Sequence, residues 1–306
     1  MRLKTKDTTI LITGASSGMG REIARQVADD ARQIILVARN ENKLSELASE
    51  LKVINPALEV FIKLCDLADK NQLAALIIHI KQTQLKLELS DIDILINSAG
   101  IAQIGFLDEI DFDDIENLIK INVLALSALS HAFLPAMIKN SRGGILNFSS
   151  FFGLKILPAY AAYAGTKHFV TGFSDTLRAE VAGNGVVIST VYPGPVHSPF
   201  WQVDNADVYS PPGFLFITVK RCATQTLNGF KRGKARIIPG LRIKLLIAFL
   251  NVSPEPVVRM VNAGISRFMR AKKNKKLQVQ IPDITTQDKL FLNNKLGVYT
   301  LKGEQK

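Results

Sequence analysis

The chain's 306 residues, 47% hydrophobic and 21% charged, suffice to bury a sizeable core and read as one large globular domain with an appendage. Its two cysteines, Cys65 and Cys222, stand far apart without ligand-like neighbours, which argues against a disulfide framework or a zinc site and fits a reducing compartment. The formal charge of +11 is uneven: residues 1–200 carry 19 Lys and Arg against 21 Asp and Glu, and residues 201–306 carry 19 against 6, so a near-neutral body precedes a basic tail.

The start, MRLKTKDTTILITG, holds only a brief apolar run before a glycine turn, so neither a signal peptide nor an amino-terminal membrane anchor is expected. No stretch reaches the ~18 unbroken apolar residues of a membrane span. TTILIT at 8–13 is β-rich and meets Gly14, after which the periodicity turns helical from Gly18. Further buried-strand patterns are QIILVA at 33–38, LEVFIKL at 58–64, DILIN at 93–97, GILNFS at 144–149 and VVISTVY at 186–192. Most are followed by a helical pattern long enough for a crossover, and that alternation predicts a parallel sheet covered on both faces. The fold expected is α/β, a Rossmann-like doubly wound parallel sheet, with ligands beyond the carboxyl ends of its strands.

The first glycine turn reads Thr13-Gly14-Ala15-Ser16-Ser17-Gly18-Met19-Gly20. Glycines there let the backbone approach a pyrophosphate, while the next helix points unpaired N–H groups at the anion. About 20 residues on, where NAD-binding chains place a carboxylate, the sequence has Val37-Ala38-Arg39-Asn40. The guanidinium of Arg39 can pair with the 2′-phosphate of NADP; it also reads as a solvated arginine, and Glu41 keeps NAD in play as the less favoured cofactor.

The stretch SFFGLKILPAYAAYAGTK at 150–167 holds Ser150, Tyr163 and Lys167. A spacing of four puts Tyr163 and Lys167 on one helix face, about 6 Å apart along the axis. A neighbouring ammonium lowers a phenol's pKa from about 10, by roughly two or three units for a partly desolvated pair, so Tyr163 can pass a proton to a substrate oxygen held by Ser150. By itself the pair also reads as a snorkelling surface pair.

With these pieces in place the chain resembles the short-chain dehydrogenase/reductase family over roughly residues 7–240. The matching residues are Thr13-Gly14-x-x-x-Gly18-x-Gly20, Asp66-Leu67, Asn97-Ser98-Ala99-Gly100, Ile121-Asn122-Val123, Ser150, Tyr163-x-x-x-Lys167 and Pro193-Gly194-Pro195-Val196-His197-Ser198. Ser98 stands where the family usually has Asn, and Ser198 where it has Thr. The resemblance implies that Asp66 contacts the adenine, Ala99 and Gly100 line the cofactor channel, and Asn122 supports a proton-relay water. It also implies that Lys167 bonds the nicotinamide ribose and that Ser150 and Tyr163 meet the reacting oxygen. Homodimers or homotetramers are what the family suggests. The expected catalytic set is Asn122, Ser150, Tyr163 and Lys167. The expected cofactor-binding set is Gly14, Ser16, Ser17, Gly18, Met19, Gly20, Arg39, Asp66, Leu67, Asn97, Ala99, Gly100, Tyr163, Lys167, Pro193, Gly194, Val196 and Ser198.

After Pro193 the irregular FWQVDNADVYSPPGF at 200–214 reads as a substrate lid. Phe200, Trp201 and Phe214, with Phe151 and Phe152, read either as an apolar pocket or as core packing. From residue 241 to 306 the family pattern gives way to a basic extension. LRIKLLIAFL at 241–250 is apolar but short, and Val257, Val258, Val261, Ile265, Phe268 and Met269 follow helical spacing beside Arg259, Arg267 and Arg270. Such a helix lies at a membrane interface or packs on the protein's own body, so peripheral membrane contact through residues 241–276 is one expectation. Nucleic acid is not expected, because aromatic residues are not interleaved with the charge. His79, His131, His168 and His197 lack metal-ligand spacing, and no metal is expected.

These readings converge on an NADP(H)-dependent oxidoreductase for a small hydrophobic carbonyl compound or alcohol, cytoplasmic or membrane-associated. A non-catalytic dinucleotide-binding sensor or scaffold is the rival, disfavoured because binding alone does not need a tuned phenol.

Overall fold

The six apolar runs become strands within two residues of their expected bounds: β1 (Thr8–Thr13), β2 (Ala31–Ala38), β3 (Glu59–Leu64), β4 (Ile94–Asn97), β5 (Gly143–Phe148) and β6 (Val186–Val191). These come from a computed structural model, which describes residues 2, 3, 5–85, 90–198, 200 and 211–280. Trp201, most of the lid segment and residues 281–306 lie outside the described residues. Between and after the strands run α1 (Gly18–Val27), α2 (Glu41–Ile54), α3 (Lys70–Leu85), α4 (Phe112–Ile119), α5 (Leu126–Lys139), α6 (Ala161–Glu180) and α7 (Val219–Lys231). Two short strands, β7 (Val196–His197) and β8 (Ile217–Thr218), pair with each other on either side of the lid segment.

The main sheet has seven strands in the order β3-β2-β1-β4-β5-β6-β9, where β9 is Arg236–Ile237, and every pair is parallel. The side-chain period of two sends alternate residues to opposite faces. Ile10, Ile12, Ile34, Leu36, Ile94 and Ile96 face one side, packed with Ile23 and Val27 of α1, Leu44 and Leu47 of α2, and Leu227 and Phe230 of α7. Leu11, Ile35, Val37, Leu95, Ile145 and Ile188 face the other, packed with Leu73 and Ile80 of α3, Leu129, Phe133 and Met137 of α5, and Leu177 of α6. Each such side chain, withdrawn from water, contributes about 1.5–3 kcal/mol. The helical run Phe112–Lys139 is long and apolar enough to cross a membrane by length and composition, yet Leu129, Phe133 and Met137 within it are buried against the sheet.

The chain moves outward through β1, β2 and β3, then returns to the other side of β1 for β4, β5 and β6. The reversal leaves a crevice at the carboxyl ends of β1 and β4, because their connections leave in opposite directions.

The extension folds as α8 (Leu241–Val252) and α9 (Glu255–Gln280). Its apolar residues divide between an inward and an outward face. Val258, Ile265 and Met269 turn inward to line the crevice, whereas Phe268 is 70% exposed. Electrostatics fasten α9 to the body: Arg270 donates to both carboxylate oxygens of Asp108 at 2.9 and 3.2 Å, and Lys273 reaches Glu109 at 2.5 Å. The Arg270 guanidinium also lies 3.9 Å from the centre of the Phe106 ring, a cation–π geometry. Part of the tail's basic excess is therefore spent on the protein's own acids, and Arg270 holds the Asp108 carboxyl below its ordinary pKa.

Candidate active site

A cleft of about 1510 Å³ runs along the carboxyl ends of the strands. A single-ligand site typically occupies about 300–1,000 Å³, so this one has room for a dinucleotide and a second molecule.

At one end the β1–α1 turn is closely packed. Gly14 has φ +66°, and a Cβ there would lie 2.8 Å from Ala99 Cα; a Cβ on Gly20 would press into the Gly14 carbonyl oxygen. Ser16, Ser17, Gly18 and Met19 line the cleft, whereas Gly20 lies beneath it. Glycines hold the turn flat here, and the first N–H groups of α1, left without helical partners, become available to an anion. Gly20→Ala should cost about 1–3 kcal/mol by overpacking and weaken dinucleotide binding through the displaced turn. Thermal unfolding and a binding titration check this; no change in either would remove the packing argument.

Arg39, at the end of β2, lines the cleft with a 68% exposed side chain, its Nη1 3.7 Å from Asp66 Oδ2. Asp66 also accepts from the Ala68 N–H at 3.0 Å, an Asx-turn that fixes its carboxylate, and Leu67 lines the wall beside it. The arrangement suits an adenosine whose 2′ substituent meets a guanidinium.

Not every expected residue faces the cleft. Asn97 turns into the core, where its Nδ2 donates to Asn147 Oδ1 at 2.8 Å and to Ser130 Oγ at 3.2 Å; Asn147 in turn donates to Ser174 Oγ. A buried amide needs such partners, and this chain of bonds ties β4, β5, α5 and α6 together behind the site. Its neighbours Ala99 and Gly100 do line the cleft. Asn122 sits in a π-helical turn, Lys120–Ala125, a local widening common at functional sites. Its side chain accepts from the Ile101 N–H at 3.0 Å and donates to the Ile101 carbonyl and Thr166 Oγ1. It thereby pins the loop after β4.

Ser150, Tyr163 and Lys167 all reach the cleft. Ser150 follows β5 and caps the short turn Phe151–Gly153, accepting from the Phe152 N–H. Tyr163 and Lys167 stand on the first turns of α6, at 5% and 4% exposure. Lys167 Nζ donates to the Phe148 carbonyl at 2.9 Å and lies 5.7 Å from the centre of the Tyr163 ring.

Burial, and not the ammonium, governs the phenol, contrary to the sequence expectation. Desolvation pushes Tyr163 up to about 12, with a hydrogen bond from Ser150 pulling the other way. The same desolvation brings Lys167 down to about 8. Both charged forms lose hydration in one dry pocket, so at neutral pH the tyrosine keeps its proton and the lysine is mostly charged. This is an acid ready to donate beside a cation able to stabilise what remains.

Beyond these groups the cleft becomes apolar. Phe152 meets Tyr163 edge-on at 5.8 Å and stacks on Tyr160 at 4.2 Å, so it serves core and pocket together. Phe200 tilts over Tyr163 at 6.1 Å, while Phe214 is 63% exposed and does not line the cleft. Pro193, Gly194, Val196 and Ser198 also line the cleft. A Cβ on Gly194 would run into Ile243 of α8, which shows how closely the extension is seated there. Leu246 and Leu250 of α8, and Val258, Asn262, Ile265 and Met269 of α9, complete the apolar end. Sequence reasoning missed these residues as pocket wall; their helical spacing was visible, but not what they faced. Among the described residues no three His, Cys, Asp or Glu side chains are grouped to hold a metal ion.

A family model described as short chain dehydrogenase matches residues 8–208. The bovine protein Dehydrogenase/reductase SDR family member 7B is 34% identical over 203 residues, covering 65% of this chain; the chain spans 61% of that relative's length. A short-chain dehydrogenase from Sphingobium yanoikuyae, solved in complex with NADPH, superposes with a TM-score of 0.71 at 28% identity, covering 92% of this chain and 99% of the other. A bulky-bulky ketone specific alcohol dehydrogenase from Comamonas testosteroni superposes at 0.67 with 25% identity, covering 90% and 95%.

Proposed function

The chain belongs to the short-chain dehydrogenase family of oxidoreductases, and from that premise we propose that it uses NADP(H) to interconvert a bulky hydrophobic carbonyl compound and its alcohol, acting as a reductase. The observation that carries this reading is the meeting of Ser150, Tyr163 and Lys167 where the dinucleotide end of the cleft passes into its apolar end. Bound NADP(H) supplies or accepts the hydride. We read residues 1–240 as the dinucleotide-binding body and 241–306 as an extension whose described helices wall the substrate end.

In the proposed reduction Ser150 Oγ holds the carbonyl oxygen and Tyr163 gives it a proton as negative charge develops there. Lys167, still charged below pH about 8, stabilises the phenolate left behind and bonds the nicotinamide ribose. Asn122 keeps the loop carrying Gly100 and Ile101 in place and supports proton resupply. The turn from Gly14 to Gly20 cradles the pyrophosphate, with Asp66 and Leu67 at the adenine and Arg39 on the 2′-phosphate. The Sphingobium relative with NADPH supports that cofactor, and the Comamonas enzyme specific for bulky-bulky ketones supports a large apolar substrate, as do Phe152 and the inner faces of α8 and α9.

The test is loss of NADPH absorbance across medium-chain, long-chain and bulky cyclic ketones and aldehydes. Turnover should rise with apolar size, and a preference for sugars would overturn the substrate reading. A charge-assisted hydrogen bond contributes about 1.5–3 kcal/mol, so Arg39→Ala should raise the Kd for NADPH roughly 10- to 100-fold and leave that for NADH nearly unchanged. Equal changes in both would remove the 2′-phosphate role.

A further inference from the structure

A surface helix ordinarily turns one apolar stripe to the core and polar residues to water, and α8 departs from that rule. Ile243 and Ile247 are buried and Leu246 and Leu250 line the cleft. With about 3.6 residues per turn, Leu241, Leu245, Phe249 and Val252 share the opposite face, and they are 66, 60, 66 and 80% exposed. The next helix repeats the pattern: Val257, Met260, Val261 and Phe268 of α9 fall on one face and are 46, 69, 50 and 70% exposed. Two consecutive helices thus each show water an apolar stripe, where folded monomers rarely leave large apolar patches uncovered.

The charges around these stripes indicate what covers them. Residues 241–273 carry seven Lys and Arg against the single Glu255. Arg259 pairs with that glutamate, and Arg270 and Lys273 with Asp108 and Glu109 of the body, so the cations that bear on the stripes are Arg242, Lys244 and Arg267. By helical spacing Arg242 and Lys244 fall on the two edges of the outer α8 stripe, and Arg267 falls beside that of α9. Apolar side chains flanked by cations form the pattern of a helix lying in a lipid interface, and the cations favour anionic headgroups. We propose that the outward faces of α8 and α9 dock on an anionic lipid bilayer, with the mouth of the cleft opening into that surface.

The mouth is part of the same surface. Phe249, Val257 and Val261 are exposed and also line the cleft, as does Ile156 at 62% exposure. An apolar molecule dissolved in the bilayer then enters the cleft without crossing water. The docking itself stands on the helix surfaces; only this route rests on the proposed hydrophobic substrate.

Flotation of the full chain with vesicles tests it, using phosphatidylcholine alone and phosphatidylcholine mixed with phosphatidylserine. Binding should be strong to the mixed vesicles, weaker to the neutral ones and reduced by salt. Leu245→Glu combined with Phe268→Glu, neither of which lines the cleft, should lower the vesicle-bound fraction at least tenfold while NADPH affinity and Tm stay unchanged. Failure of the unaltered chain to float, or equal flotation of the double variant, overturns the proposal. So does a dimer in sedimentation velocity that the double variant converts to monomer without any vesicle binding by the unaltered chain, because the faces then cover a second copy. Hydrogen exchange on the unaltered chain needs no substitution: mixed vesicles should slow exchange in 241–252 and 255–273 beyond the protection the helices have without lipid, and exchange that vesicles leave unchanged contradicts docking. None of these measurements requires turnover, so their failure leaves the oxidoreductase reading standing, and a chain that binds vesicles but reduces nothing fails that reading alone.

Discussion

Tyr163→Phe should lower turnover of any ketone substrate by about 10²- to 10⁴-fold, the usual contribution of a positioned general acid, while the Kd for NADPH changes little. The substitution removes one hydroxyl and keeps the ring that packs against Phe152 and Phe200, so the fold and the pocket's shape survive. The phenol is held protonated at neutral pH, with burial placing it at about 12 against a hydrogen bond from Ser150. Steady-state rates set against single-site NADPH titrations separate the two effects. Turnover that survives the substitution would contradict the assignment of the acid, and a chain that binds NADPH tightly with no turnover before substitution would favour a sensor.

Lys167→Met should also disable the enzyme, yet relieve a strain in the fold whose pH dependence identifies it. The lysine's folded pKa of about 8 lies below its ordinary value of 10.5. Below pH about 8 the ammonium is charged in both the folded and unfolded chain, and its burial destabilises the fold in full. Between about 8 and 10.5 the folded chain has released this proton while the unfolded chain keeps it, so stability rises with pH across that window. The gross penalty is on the order of 3 kcal/mol. Removing the lysine also leaves the Phe148 carbonyl without its donor, at a cost of about 1–3 kcal/mol, so the net change at pH 7 is small.

The decisive quantity is therefore the slope. Urea unfolding of the two proteins from pH 7 to 10 should show the unaltered chain gaining stability relative to Lys167→Met by on the order of 3 kcal/mol. Parallel curves would mean that the ammonium is not strained. Tyr163 works in the opposite sense at higher pH, because its folded pKa of about 12 exceeds the ordinary 10, and stability falls as pH rises between those values. In catalysis, kcat/KM should fall above pH about 8 as Lys167 loses its charge.

The strands were legible because parallel strands covered on both faces read as nearly continuous apolar runs, and runs such as IILVA announce that directly. β9 was not, since Arg236–Ile237 is too short to carry a pattern. The glycine turn was readable because strand, glycine and helix follow in one local stretch. Asn97 shows the limit of such reading: adjacent in sequence to the cleft-lining Ala99 and Gly100, it belongs to a buried amide chain with Asn147. A strand alternates its faces, and a motif does not say which neighbours share one.

The extension and the tyrosine mark the same limit. Spacing on α9 identified Val258, Ile265 and Met269 as an apolar face, and only the packed molecule turned that face into the wall of a cleft. Spacing of four brought Tyr163 and Lys167 together, but the direction of their pKa shifts came from the desolvation that surrounds them. The sequence by itself determined the sheet, the glycine turn and the spacing that brings Tyr163 and Lys167 together, all of which depend on local pattern. Tertiary structure alone decided which apolar faces meet and how dry the phenol is, because burial is set by every element packed around a residue and not by its neighbours along the chain.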